Sequence, residues 1–328
     1  MVSRFQRELR SAVVPLTAQQ LLVRGVSRSM LRGRRWRTSS RGLFVPSDVP
    51  STSAQRILEA LPLVPAPGVV TGWAAAYVHG ADYLDGLDPF TLQALPVPVV
   101  LNTTAGRANL AGVTYHRDRL GGAEVDAVLG VPVTTVPRAT VDGARHARNL
   151  VEAVVFLDMV GQAVDLDLAR LALWCRTHPG WRGVDQLRQA LRWGDPRSAS
   201  PWETRLRMFY RREAGLPCPE VNVPVFTRDG RFLGTPDLLD EEAGLAVEFD
   251  GQDHRLREQH REDNIREEGL EDTNLVVCRV DSLDLRHRGP LRQRLRAAYA
   301  RGQARDRRRD RFTTEEPDWW RRRLQRAS

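Results

Sequence analysis

The chain has 328 residues, 41% hydrophobic and 27% charged, a balance that supports a packed core and fits two or three domains. No uncharged apolar run of eighteen residues occurs, no secretory leader pattern is read at the N-terminus, and Cys175, Cys218 and Cys278 form neither a CxxC pair nor a metal-ligand spacing, so a reducing cytoplasm is expected. The net charge of +8 is uneven: residues 1–50 hold ten Arg against Glu8 and Asp48, residues 301–328 hold ten Arg against five acids, and lysine is absent throughout. A basic head and tail around a mildly acidic body point to a polyanion partner such as DNA. A GC-rich genome would account for Arg in place of Lys, but not for its concentration at the two ends.

Along the chain, Thr17 with Gln20 is a capping-box pair, and it predicts a helix from Ala18 to about Arg24. Ser27 caps a second predicted helix that runs to about Arg34 and turns Met30 and Leu31 inward. The junction Arg24-Gly25-Val26-Ser27 has the length and glycine of a helix-turn-helix turn, and Gly42–Pro46 reads as a strand closing a wing. Arg28, Arg32, Arg34, Arg35 and Arg37 cluster about Trp36 and are the candidate DNA contacts. Residues 51–195 read as a mixed α/β segment. Helices are expected near 72–81, 137–147, 150–162, 168–176 and 184–193, and strands near 97–102, 112–116 and 130–136. This segment contains no compact catalytic motif, and His79, His116, His146 and His178 are scattered singly, as structural or surface histidines are.

Residues 196–300 change character. Ser200-Pro201-Trp202-Glu203 opens a helix to about Ala214. Strands are expected over 221–227, 235–239 and 245–249, then a long charged helix over about 254–271, a strand over 275–280 and a helix through Ala300. Residues 301–328 are an Arg-rich tail, partly disordered or helical. Glu248 and Asp250 lie two apart on one strand and so share a face. Asp237 can join them from the neighbouring strand of a hairpin. Two carboxylates about 4 Å apart repel by about 4 kcal/mol at an effective dielectric near 20. Such a cluster needs a cation or raised pKa values to coexist, and with no lysine in the chain a divalent oxygen-loving metal such as Mg²⁺ is the natural cation. Glu203 at the helix start and His254 after the Asp250-Gly251 turn complete the candidate catalytic set. Each has a plainer reading: Glu203 as a capping residue, Asp237 and Asp250 as turn residues, Glu248 as an exposed strand position, and His254 as a helix flank.

At Pro236-Asp237, Ala246–Gly251 and His254-Arg255, preceded by Ser200–Glu203 and followed by the strand at 275–280, the chain resembles the PD-(D/E)XK nuclease superfamily, in its branch related to very-short-patch-repair endonucleases. The resemblance implies a restriction-endonuclease-like α/β core over 196–300. In it Asp237 and Glu248 would hold Mg²⁺, Asp250 would assist from the position of the usual lysine, Glu203 would be the helix glutamate, and His254 would be the acid or base. The segments Thr17–Leu31, Trp36–Arg37, Arg41–Val45 and Gly130–Asp142 resemble AbiEi-type antitoxins of type IV toxin–antitoxin systems. That second resemblance implies a winged helix-turn-helix over 1–50 and a mixed middle domain over 51–195, with DNA, and a cognate toxin, as partners. The expected fold class is therefore multi-domain α/β. The expected function is DNA binding with an attached nuclease-like domain, which is either active or degenerate and used only to bind DNA or protein.

Overall fold

The computed structural model describes residues 2–103, 108–251 and 269–327, and the chain falls into two units, Met1–Gly194 and Asp195–Ser328. The first unit opens with α1 (Arg4–Leu9), β1 (Leu16–Thr17), α2 (Ala18–Val23), α3 (Arg28–Leu31), β2 (Trp36–Ser40) and β3 (Leu43–Pro46). The capping box of Thr17 and Gln20 is formed at the start of α2, and Gly25 makes the turn to α3 at φ +84°. The helix expected to reach Arg34 ends at Leu31. The amides of Arg32 and Gly33 turn back onto the carbonyls of Ser29 and Met30, and Gly33 stops propagation. The chain then enters β2, which pairs with β3 as a hairpin; β1 adds to the other side of β3, giving the order β1-β3-β2. Leu21, Leu31 and Val45 are buried in this module.

The rest of the first unit contains α4 (Ser53–Ala60), β4 (Val69–Val70), α5 (Gly72–Val78), β5 (Val97–Val100), β6 (Val113–His116), β7 (Val125–Val128) and β8 (Val131–Thr134). The helices α6 (Val136–Arg145), α7 (Leu150–Ala163), α8 (Leu168–Thr177) and α9 (Val184–Trp193) follow. A five-stranded mixed sheet has the order β6-β5-β4-β8-β7. Its core gathers Tyr77, Val99, Val133 and Phe156, and Phe5 of α1 enters the same core, edge-on to Tyr77. The N-terminal helix thus packs with the middle segment in one unit.

The second unit runs α10 (Pro201–Arg212), β9 (Glu220–Val221), β10 (Val225–Thr227), β11 (Phe232–Gly234), β12 (Leu238–Asp240), β13 (Leu245–Asp250), β14 (Val276–Asp281), α11 (Arg288–Gln303), β15 (Phe312–Thr313) and α12 (Asp318–Ala327). Four strands form the sheet β14-β13-β12-β9. β12 is antiparallel to both β9 and β13, and β13 is parallel to β14. One face packs Leu238, Leu245 and Val247 against Leu206 and Phe209 of α10 and Leu291 and Leu295 of α11. The other face carries Leu239 and Ala246, covered by Val225 and Leu233 of a second sheet, β11-β10-β15. The single strand expected over 221–227 is divided between these two sheets. Asn222 at φ +49° and the donor-less Pro224 interrupt the ladder between the two halves. The long helix expected over 254–271 lies outside the described residues except for its helical end at 269–271. The tail is ordered into β15, paired with β10, and the helix α12. Among the described residues no helix is long and apolar enough to cross a membrane.

Candidate functional site

The antiparallel pairing of β12 with β13 matches Leu238 to Val247, so the next residues outward are Asp237 and Glu248. Strand alternation puts Glu248 and Asp250 on the Ala246 face, opposite Val247 and Phe249. Asp237 Oδ2 accepts the Phe249 amide at 2.5 Å, which fixes this carboxylate across the hairpin end. Trp202, in the first turn of α10, stacks on Phe249 with ring centroids 5.3 Å apart, and Arg205 lies over Trp202 at 4.7 Å. These contacts bring the start of α10 to the same end of the sheet.

Glu203 is buried there and acts as a local fastener. Its Oε2 accepts the Ala199 amide at 2.6 Å and Asn222 Nδ2 at 2.8 Å, while its own amide donates to Ser200 Oγ at 3.3 Å. Asn222 in turn donates its amide to the Asp237 carbonyl at 3.2 Å. Glu203 therefore reaches Asp237 through Asn222, in the bonding pattern of a cap. Asp250 is exposed at the end of β13. His254 lies outside the described residues. Among the described residues, no three His, Cys, Asp or Glu side chains are gathered as a metal-holding group. The carboxylates that sequence spacing brings together are thus assembled as a pair, Asp237 beside Glu248, and not as a closed cage.

Two residues at this end were missed from sequence. The parallel ladder sets Arg279 directly opposite Glu248 and Asp281 opposite Asp250. Arg279 Nε stands 3.9 Å from Glu248 Oε2. A cation is therefore present beside the carboxylates although the lysine is not. It comes from a strand that becomes a neighbour only after a crossover, and no local spacing announces it.

The basic cluster of the first unit is distributed differently from a helix face. Arg28 belongs to α3, Arg32 caps it, Arg34 and Arg35 lie in the turn that follows, and Arg37 is on β2. Arg28, Arg32, Arg34 and Arg35 are exposed and form no ion pair among the described residues. Arg37 is instead held to Glu59, its Nη1 at 3.0 Å and Nη2 at 2.5 Å from the two carboxylate oxygens. Arg34 and Arg35, with Val26, Met30, Trp36 and Pro46, border an open groove of about 560 Å³. If the cluster contacts a DNA duplex, as its charge leads one to expect, replacing Arg32, Arg34 and Arg35 together by Ala should flatten the salt dependence of that binding by up to about 0.9 log units for each phosphate no longer neutralised. A fluorescence-anisotropy titration at several salt concentrations measures this, and an unchanged slope would return the cluster to ordinary solvated surface.

A further polar assembly lies inside the first unit. Asp142 of α6 is buried between Arg138 Nε at 3.0 Å and Arg145 Nη2 at 2.9 Å, and it accepts Thr71 Oγ1 at 2.7 Å. Arg138 also reaches Glu124, and Arg145 reaches Asp118. Both guanidinium groups lie over the Trp181 ring. Burial pushes the Asp142 carboxyl up, but the two arginines outweigh it and hold the group below its ordinary value. Beside this assembly His116 and His146 stack in parallel, 4.0 Å apart. Burial lowers the pKa of both, and Arg145 and His116 lower that of His146 further, to about 3. His178 stacks on Trp174, and His79 Nε2 lies 2.9 Å from the Thr134 carbonyl oxygen, so each histidine of this unit singled out in the sequence is built into packing. Comparisons with protein-family models, curated proteins and solved structures return no match for this chain.

Proposed function

We propose that the chain is a DNA-binding protein of antitoxin type, with a winged helix-turn-helix in its first unit and a nuclease-like core in its second. The observation that carries the second half of this reading is the hairpin register that places Asp237 beside Glu248, in a sheet whose β13 and β14 run parallel across a crossover. A four-stranded sheet with a helix before its first strand and another after its last, in chain order, supports the restriction-endonuclease-like reading. The N-terminal half is supported by two short helices joined through Gly25, by the exposed Arg28, Arg32, Arg34 and Arg35 of α3 and the turn after it, and by the β2–β3 hairpin that follows.

In the catalytic reading the pair Asp237 and Glu248 holds Mg²⁺. That ion binds through one or two carboxylates and completes its shell with water and substrate phosphate, so a two-carboxylate donor set suits it without a third. When bound, it would neutralise charge on the phosphodiester and lower the pKa of water. Asp250 extends the acidic edge, Arg279 sets the local charge balance beside Glu248, and His254 carries the proton. The second reading, a module that binds DNA or protein without cutting, is favoured by Arg279 standing against Glu248 and by the capping bonds of Glu203.

Plasmid cleavage by the full chain in Mg²⁺ or Mn²⁺ separates the two. The catalytic reading expects cleavage that Asp237→Asn and Glu248→Gln each abolish, and a metal-dependent rise in Tm that Asp237→Asn removes, since a ligand bound only by the folded state stabilises it. Duplex binding with neither cleavage nor a metal-dependent Tm shift establishes the non-catalytic module. Failure to bind duplex at all overturns the DNA-binding reading.

A further inference from the structure

The last ten residues of the described chain form a helix that has no means of standing alone. α12 is a ten-residue segment, DWWRRRLQRA, with three consecutive arginines, and helices this short are marginal in water without tertiary support. Its support is aromatic. Trp320 stacks on Phe232 at 4.9 Å and packs edge-on to Phe226 at 5.3 Å, and Trp319 is edge-on to Trp320 at 5.5 Å. Trp319 Nε1 donates to the Gly230 carbonyl at 3.0 Å, which pins the first turn of the helix to the turn of the β10–β11 hairpin.

That hairpin turn carries two arginines and one carboxylate, Asp229, which feels the charge of Arg231. Arg228 and Arg231 flank it, and the Arg228 amide donates to the carbonyl of Arg311, beside β15. Arg228, Arg231, Arg322 and Arg323 are all exposed, and none forms an ion pair among the described residues. Arg323 is positioned against the Trp320 ring at 5.9 Å. Phe226 and Phe232 face α12 while their neighbours Val225 and Leu233 face the four-stranded sheet, so the hairpin is a spacer between the two. The sheet face it covers, through Ala246, is the face that bears Glu248 and Asp250 further along β13.

We propose that α12 and the β10–β11 turn form a second duplex-binding surface, in which the tryptophan pair holds Arg322 and Arg323 in line with Arg228 and Arg231 to grip the phosphate backbone on the Asp237–Glu248 side of the sheet. The inference rests on the DNA-binding reading given above and adds a site to it. A basic tail that served only solubility would not need aromatic packing from two tryptophans and a hydrogen bond to hold it in place. A phosphate-gripping surface does, because a guanidinium grips well only if it is positioned before the polyanion arrives.

The test uses the full chain, a fluorescent blunt-ended DNA duplex, and the slope of log K against log salt. Arg228→Ala, Arg231→Ala, Arg322→Ala and Arg323→Ala combined should lower that slope by up to about 0.9 for each phosphate no longer neutralised. Trp319→Ala with Trp320→Ala should lower it as well, although that variant removes no charge. The N-terminal variant Arg32→Ala, Arg34→Ala, Arg35→Ala should reduce the slope independently, and the two reductions should add. A wild-type slope in the four-arginine variant overturns the proposal while leaving the DNA-binding reading intact. So does a wild-type slope in a tryptophan variant that retains its far-UV circular dichroism. If the tryptophan variant does not fold, the four-arginine variant decides alone, since its changes are confined to exposed side chains. Absence of duplex binding by the wild type removes the underlying reading and this surface with it.

Discussion

Asp142→Asn should be the most damaging conservative substitution in the first unit, costing about 3–5 kcal/mol. The Arg138 and Arg145 side chains that flank Asp142 are 1% and 0% exposed, and it is the buried anion shared by both. Asparagine keeps the shape and one acceptor but removes the central anion, leaving the two buried guanidinium groups with the outlying Glu124 and Asp118 as counter-charges and the carbonyls of Arg119 and Arg182 as neutral acceptors. Removing one partner of a buried ionic set exposes the full desolvation penalty of the others, which is why the loss exceeds that of a surface pair several-fold. The chain has two units, so a single global unfolding curve would mix them. Amide hydrogen exchange of α6 reads the effect locally, as a fall in the free energy of opening over Val136–Arg145. Thr71→Val removes only one hydrogen bond to the same carboxylate and should cost about 1 kcal/mol. Equal, small effects of the two variants would mean that the arginines are solvated in solution and that the web contributes little.

Acidification should destabilise the first unit, and the stacked histidines give the reason. Their folded-state pKa values are depressed, that of His146 to about 3, whereas an unfolded histidine titrates near 6.5. The unfolded chain therefore binds protons that the folded one refuses. Stability is fully present above about pH 6.5 and is lost as pH falls below it, by about 1.4 kcal/mol per pH unit for His146 down to its folded value. His116 adds to the same slope with the same sign. The charged groups facing the pair are Arg145 and Arg182 on the positive side and Asp142 and Asp118 on the negative. His146→Phe keeps a flat ring against His116 without a proton site, and it should flatten the pH dependence of first-unit opening between pH 6.5 and about 4.5. A variant with the wild-type slope would place the acid sensitivity elsewhere.

Local signals in the sequence were enough for the elements whose structure is local. The Thr17–Gln20 capping box, the Gly25 turn, the Ser200-Pro201 helix start and the β-branched runs of the middle segment specify their own conformations, and each forms close to where it is read. The spacing of Glu248 and Asp250 likewise decides that they share a face, because strand periodicity is a property of the backbone. Chain neighbours could not supply the pairings. Arg279 opposes Glu248 only because β14 returns parallel to β13 after a crossover, and Phe312 joins β10 only because residues far apart in the chain meet in one sheet. The strand at Trp36–Ser40 was hidden in a run of arginines, and a partner hairpin, not its own composition, makes it β. The same distinction separates the two basic ends. Charge counting finds both, but only tertiary contacts decide that Arg37 is consumed by Glu59, and that the end of the tail, which composition alone reads as partly disordered or helical, is a helix held in place by Trp319 and Trp320. Sequence determines which groups are available and how they repeat along the chain. Long-range burial and pairing decide which of them meet, because those energies depend on surfaces that do not exist until the sheet has formed.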